Sequence, residues 1–260
     1  MTEPGGSATE DAVEDAVVVG ATGTVGSALV RALAARGLRV VAVARDADAL
    51  ARLAADVDGD VVPCAADIAT NAATDAIRSA LRGRVRMAVL AAGLPVTGSV
   101  ETVDPDLLAA GAQVKMAGVV RLLHAVRDAM GPGSRFVAVA GTLGLEPGRD
   151  EAGPGGVNAG LVNLMKQVAL NHGADGVTVH TLVPGPMDTP RLRRIAERIA
   201  GERGLTVEEV WAEYEARVPL GRLPRVEELV WATTLLLAPE ADILHGTVLH
   251  LDAGGLRSPH

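Results

Sequence analysis

Seven short Val-rich runs alternate with longer stretches of helical spacing, and this rhythm constrains the fold more than any other feature. The runs cover residues 16–20, 39–44, 60–66, 86–91, 135–140, 177–183 and 247–251. Helical patterns fill most of the gaps, including 25–36, 46–56, 105–130, 157–172 and 226–238. Continuous aliphatic runs suit strands covered on both faces. The βαβα order predicts a doubly wound parallel α/β sheet, with right-handed crossovers laying helices on both sides in three αβα layers. Residues 189–220 break the rhythm with two charged, helical pieces between a strand and the last long helix. A long insertion over a strand end is where a substrate lid sits.

Composition narrows the functional classes. Aromatic residues are only 2% of the chain, so Ala, Val and Leu must build the core. The 260 residues suit one domain over 14–260, and the small, acidic residues 1–13 read as a disordered tail. A net charge of -8, with no basic cluster interleaved with aromatics, argues against nucleic acid as a partner. The lone Cys64 follows Val-Val-Pro and reads as a buried, inert thiol in a reducing compartment. The six histidines are scattered without metal-ligand spacing, so no metal is expected. His124 and His180 read as structural. No apolar run reaches the ~18 residues of a membrane span, and no signal peptide is seen. A cytoplasmic location, away from membranes, is therefore expected.

The first run leads into Gly20-Ala-Thr22-Gly23-Thr24-Val25-Gly26 and then a helix. Glycines in that context permit a tight turn and bring backbone N–H groups close to a pyrophosphate at the helix N-terminus. The alternative is a packing turn without ligand. The second run ends Ala44-Arg45-Asp46. Ala44 cannot hold a ribose 2′-hydroxyl as an acidic residue would, whereas Arg45 can pair with a 2′-phosphate. NADP(H) is favoured over NAD(H) on this ground.

Several motifs in order resemble the short-chain dehydrogenase/reductase family over nearly the whole chain. They are the Gly20-x-x-Gly23-x-x-Gly26 turn, with Thr24 replacing a glycine of the classical version, and Asp67-Ile68 after the third run. Leu90-Ala91-Ala92-Gly93 follows the fourth run with both family asparagines lost. Pro184-Gly185-Pro-Met187-Asp-Thr189-Pro190 stands before the lid, and Pro219-Leu-Gly-Arg-Leu-Pro and residues 246–255 close the pattern. The resemblance implies a seven-stranded Rossmann-type sheet, a homotetramer or homodimer, and a small-molecule pocket between nicotinamide and lid. It places Asp67 and Ile68 at adenine and Thr189 at the nicotinamide end.

The same resemblance exposes a gap. Where the family keeps catalytic Ser, Tyr and Lys, this chain has Gly141, Pro154 and Asn158, and the family's helical Asn aligns with Gln113. Gly141 and Pro154 stand at the family's Ser-to-Tyr interval, so the register is internally consistent. Neither can transfer a proton; Asn158 can still hydrogen-bond a ribose. General acid–base catalysis contributes about 10²–10⁴-fold, which a carbonyl reductase must recover elsewhere. Candidate substitutes are Asp150 and Glu151 in the loop 146–156, Tyr214 in the lid and Thr142 beside the lost Ser. For each the alternative is plain: solvated loop carboxylates, a lid packing residue, a strand-end hydroxyl. Lys115 and Lys166 are the only lysines, and Lys115 reads as a surface or interface residue or as a functional one.

Three functions follow. The leading reading is an NADP(H)-binding enzyme of atypical chemistry, namely redox-neutral cyclisation, isomerisation or elimination, or reduction with a non-standard proton donor. The second is a conventional NADPH-dependent ketoreductase with relocated acid groups. The third is a non-catalytic NADP-binding partner or sensor.

Overall fold

A computed structural model describes residues 13–94 and 96–258. The tail expected at 1–13 lies outside the described residues but for Val13. Strands β1 (Glu14–Val19), β2 (Arg39–Ala44), β3 (Val61–Ala65), β4 (Arg84–Leu90), β5 (Arg135–Val139), β6 (Thr178–Pro184) and β7 (Thr247–Leu251) form one sheet in the order β3-β2-β1-β4-β5-β6-β7. Every pairing is parallel. These are the seven runs read from the sequence, with ends shifted by at most two residues. The strand order reverses between β1 and β4, which opens a crevice at their carboxyl ends.

Alternation along the strands sends neighbours to opposite faces. Val17, Val41 and Phe136 pack with Leu122 and Leu161 on one face. Val18, Val40 and Val137 pack with Leu29, Leu33, Leu50 and Leu229 on the other. The first layer comes from α3 (Ala72–Ala80), α4 (Pro105–Ala112), α5 (Gly118–Val126) and α6 (Ala152–His172). Helices α1 (Thr24–Ala34), α2 (Ala47–Asp56) and α9 (Val226–Leu235) cover the other side. Helices α7 (Pro190–Arg203) and α8 (Val207–Ala216) fill the expected lid. They pair through their own apolar cluster and a doubly bonded Arg203–Glu213 ion pair, and the Thr206–Glu209 capping box opens α8.

Two helices differ from expectation in ways that matter for the site. The long helix 105–130 is broken by a π turn at Gln113–Ala117 between α4 and α5, and it finishes as a 3-10 turn at Arg127–Ala129. Helix α6 starts at Ala152, not 157, so the loop before it is shorter than the sequence suggests. Pro154 falls in its first turn, where a backbone N–H has no helical partner and its loss is tolerated. Gly153 is needed there, because a Cβ would lie 2.5 Å from Val96 Cγ2. The last helix also stops three residues short of the expected Ala238.

At the opposite end of the sheet, Asp15 is fully buried. Its carboxylate accepts from Arg39 Nη1 at 2.7 Å and from the amides of Arg82 and Gly83 at 2.7 and 2.9 Å.

Candidate active site

The crevice has two sides, built from different halves of the sheet. On the first side, β1 ends at Gly20, whose φ of +84° suits glycine. The Gly20 and Ala21 amides donate to Val43 O of β2, and a Cβ on Gly20 would press to 2.8 Å from Ala92 Cα beyond β4. A Cβ on Gly26 would lie 2.0 Å from Gly20 O, so α1 can approach the turn this closely only with glycine there. Gly23 caps α1 without any side-chain hydrogen bond, and the first turn carries no acid. Its leading amides, from Thr24, Val25 and Gly26, are thus left for an anion. Thr22 and Thr24 are exposed on the same turn.

Arg45 is exposed just beyond β2 and takes part in no ion pair among the described residues. The carboxylate beside it is engaged elsewhere: Asp46 caps α2 by accepting from Ala49 N at 2.9 Å. The strand tip therefore offers a free guanidinium and no free carboxylate, as a 2′-phosphate requires. Asp67 is half-buried after β3 and turns back to accept from Ala69 N, while Ile68 is buried against Gly118. Ala91, Ala92 and Gly93 line the opposite wall after β4. Pro184 ends β6, Gly185 N donates to Leu251 O, and Met187 is half-buried. Thr189 caps α7 by accepting from Leu192 N at 3.3 Å. These groups fit a nicotinamide dinucleotide: a side-chain-free cradle for pyrophosphate, a cation for a ribose phosphate and a walled cleft beyond.

The second side is built from the end of β5, from α6 and from the π turn. Beyond β5, Gly141 has extended backbone, and a Cβ there would lie 3.0 Å from Asn158 Nδ2. The missing side chain is thus the room that the Asn158 amide faces. Asn158 is buried on α6, and its Oδ1 accepts from Lys115 Nζ at 3.0 Å. Lys115 also donates to Val139 O at 2.9 Å and reaches Ala140 O at 3.4 Å. Only 5% of this lysine is exposed, and no ion pair among the described residues includes it. Burial, aided by the positive field of Arg191, lowers its pKa from the usual lysine value to about 7.

Lys115 is therefore not a surface or interface residue. Gln113 is the exposed one, its side chain accepting from Arg121 Nη2 at 2.8 Å, away from the cleft. The two residues stand two apart in the turn and so lie on opposite sides of the helix. A signal was present in the sequence. Gly111, Lys115, Gly118, Val119 and Leu122 follow helical spacing, and all five are buried.

The other candidates do not form one group: Glu151 lies near Asp150 and Tyr214, while Thr142 follows Gly141. Asp150 is exposed in the loop, while Glu151 is half-buried at the start of α6. Burial and then the charge of Asp150 raise the Glu151 pKa, against the pull of Arg191 and Arg198. Tyr214 packs within the lid cluster, as its plainer reading held. Burial raises its pKa first, and the Glu151 charge adds to that, so the two groups sense each other. Thr142 opens the 3-10 turn after Gly141, and its carbonyl accepts from Leu145 and Glu146. The sequence also missed Arg191, which reaches from the first turn of α7 to donate to Leu94 O at 2.6 Å. It ties the lid to the wall beyond β4.

Elsewhere, His180 is fully buried and held near pKa 4 by burial and the field of Arg135. Burial raises the Cys64 thiol pKa. Among the described residues no three His, Cys, Asp or Glu side chains gather as a metal site. No helix there is long and apolar enough to cross a membrane.

Comparison with known proteins agrees with this architecture. A family model for enoyl-(acyl carrier protein) reductase matches residues 20–255. A short-chain reductase of Streptomyces niveus is 30% identical over 268 residues, covering 98% of this chain and 99% of its own. The actinorhodin polyketide ketoreductase solved with NADPH superposes at a TM-score of 0.85 with 26% identity, covering 95% of this chain and 98% of that one. L-Sorbose reductase from Gluconobacter frateurii, solved with NADPH and L-sorbose, reaches 0.86 at 22% identity, covering 95% and 98%. The chain belongs to the short-chain dehydrogenase/reductase family.

Proposed function

We propose that this protein is an NADPH-dependent reductase of a small carbonyl compound, with its acid chemistry moved from the family's positions. The observation that carries the reading is the intact nucleotide cradle beside a free Arg45. The short-chain reductase and the polyketide ketoreductase among its relatives support reduction over redox-neutral chemistry.

When bound, the nicotinamide supplies two electrons and one hydrogen to the carbonyl carbon. The rest falls to the chain's own residues. The α1 amides and Arg45 hold the phosphates, and Asn158 presents its amide over Gly141. The lid, latched through Arg191, keeps water from the cleft. Exposed Trp231 on α9 and Ile243 just before β7 support assembly as a homodimer or homotetramer through that side of the molecule.

The test incubates the purified protein with NADPH and ethyl acetoacetate, cyclohexanone or cyclohexenone, and identifies products by mass spectrometry. The reading expects an alcohol, formed in step with NADPH loss. NADPH left intact across the panel overturns it; an isomerised product without NADPH loss restores the redox-neutral alternative.

A further inference from the structure

We propose that Lys115 is the catalytic acid of this site, delivering a proton from Nζ to the oxygen of the bound carbonyl compound. The inference rests on the reductase reading and identifies the group that reading leaves open.

The geometry selects Lys115 over the other candidates. Glu151 is the N-cap residue of α6 and Tyr214 packs within the lid. Lys115 is buried at the end of β5 against Asn158, whose amide faces the space over Gly141. Its three N–H bonds are unequal. Val139 O at 2.9 Å and Asn158 Oδ1 at 3.0 Å hold two of them. The third rests on the 3.4 Å contact to Ala140 O, longer than a good hydrogen bond, and can turn to a better acceptor. A developing alkoxide over Gly141 is such an acceptor.

The surroundings let this group exchange its proton. The elements packed on it offer the carbonyls of β5, the neutral amide of Asn158 on α6 and, as the charged side chain acting on it, Arg191 on α7. None is a carboxylate that would pin the ammonium. A buried ammonium facing only neutral dipoles and a second cation gives up its proton near neutrality.

The step balances. The carbonyl carbon gains hydrogen and two electrons from the reduced nicotinamide, which is oxidised. The C=O π bond breaks, and its electron pair goes to oxygen. That oxygen takes the proton from Nζ, leaving a neutral amine, which solvent reprotonates after release.

The chain has only two lysines, so the proposal can be read without turnover. Lysine labelled with ¹³C at Cε gives two signals, assigned by Lys166→Arg. The expected result is one signal that titrates near 7 and is lost in Lys115→Met. Lys115→Met and Lys115→Arg should both reduce the carbonyl panel about 10²–10⁴-fold more slowly. Their NADPH affinity, read by fluorescence, should stay within a few-fold of wild type. Arginine keeps a cation but cannot release its proton, so an arginine variant that is slow yet melts like wild type separates proton transfer from packing. An ordinary Lys115 titration, or either variant reducing the panel at wild-type speed, overturns the proposal while the reductase reading stands. A wild type inert towards the whole panel removes both, even with Lys115 titrating near 7.

Discussion

The two sides of the cleft have been treated differently. On the nucleotide side the features are made of backbone: a left-handed Gly20, a Gly26 packed on its carbonyl, and an uncapped helix start. On the reacting side the features are side chains, Lys115 and Asn158 beside Gly141. Backbone features are fixed by residue spacing, so they stay where the sequence puts them. Side-chain chemistry needs only a group of the right kind in the same space, and another element can supply it. Here α6 supplies Asn158 and the π turn before α5 supplies Lys115, with 3.0 Å between them.

The buried cations repeat the contrast. Arg39 faces the carboxylate of Asp15 at 2.7 Å in a buried ion pair. Lys115 faces oxygens that carry no formal charge.

The largest expected effect tests that contrast. Lys115 has a folded pKa of about 7, below its unfolded value of about 10.4. Between those values the unfolded chain binds more protons, so stability rises with pH. Below about 7 the full penalty, a few kcal/mol, is present. Urea unfolding should therefore show wild type gaining stability relative to Lys115→Met from neutral pH to about 10; parallel curves would mean that the amine is not held in burial. Asp15→Asn should lose roughly 3–5 kcal/mol at neutral pH by leaving the buried Arg39 only the mostly exposed Asp60 at 3.7 Å, and a loss within experimental error would erase the distinction between the two cations.

Next come the nucleotide-side changes. Gly26→Ala forces a Cβ onto Gly20 O and should cost roughly 1–3 kcal/mol in thermal unfolding, with NADPH binding lost by fluorescence. Unimpaired binding would mean the turn is not a cradle. Arg45→Ala should weaken NADPH by about 1.5–3 kcal/mol and leave NADH unchanged in competition binding. Equal weakening of both would move the phosphate elsewhere. The smallest effect belongs to Tyr214→Phe. Its ring packs within the lid, so turnover should stay within about two-fold and stability within ~0.5 kcal/mol.

Much of this molecule was legible in its sequence. The Val-rich runs became the seven strands because aliphatic runs between helical stretches have few other ways to be buried. The turn at Gly20–Gly26 and the lid were legible for similar reasons. The start of α6 was not, because Gly153, Pro154, Gly155 and Gly156 read as breakers. Pro154 is tolerated in the first turn, and Val96 makes Gly153 necessary. The sequence leaves Lys115 open between a surface or interface residue and a functional one, because a lysine among apolar residues is normally solvated and only its place on the buried stripe marks it otherwise. Arg191 was missed because its contact with Leu94 O spans 97 positions of chain.

The most direct test of the account is calorimetric titration of the whole chain with NADPH and with NADH. The account predicts saturable NADPH binding at least about tenfold tighter than NADH, since one charged contact to the 2′-phosphate contributes 1.5–3 kcal/mol. Binding of neither nucleotide would contradict it: the glycine turn would then serve packing alone, and the proposed reduction would lose its source of electrons.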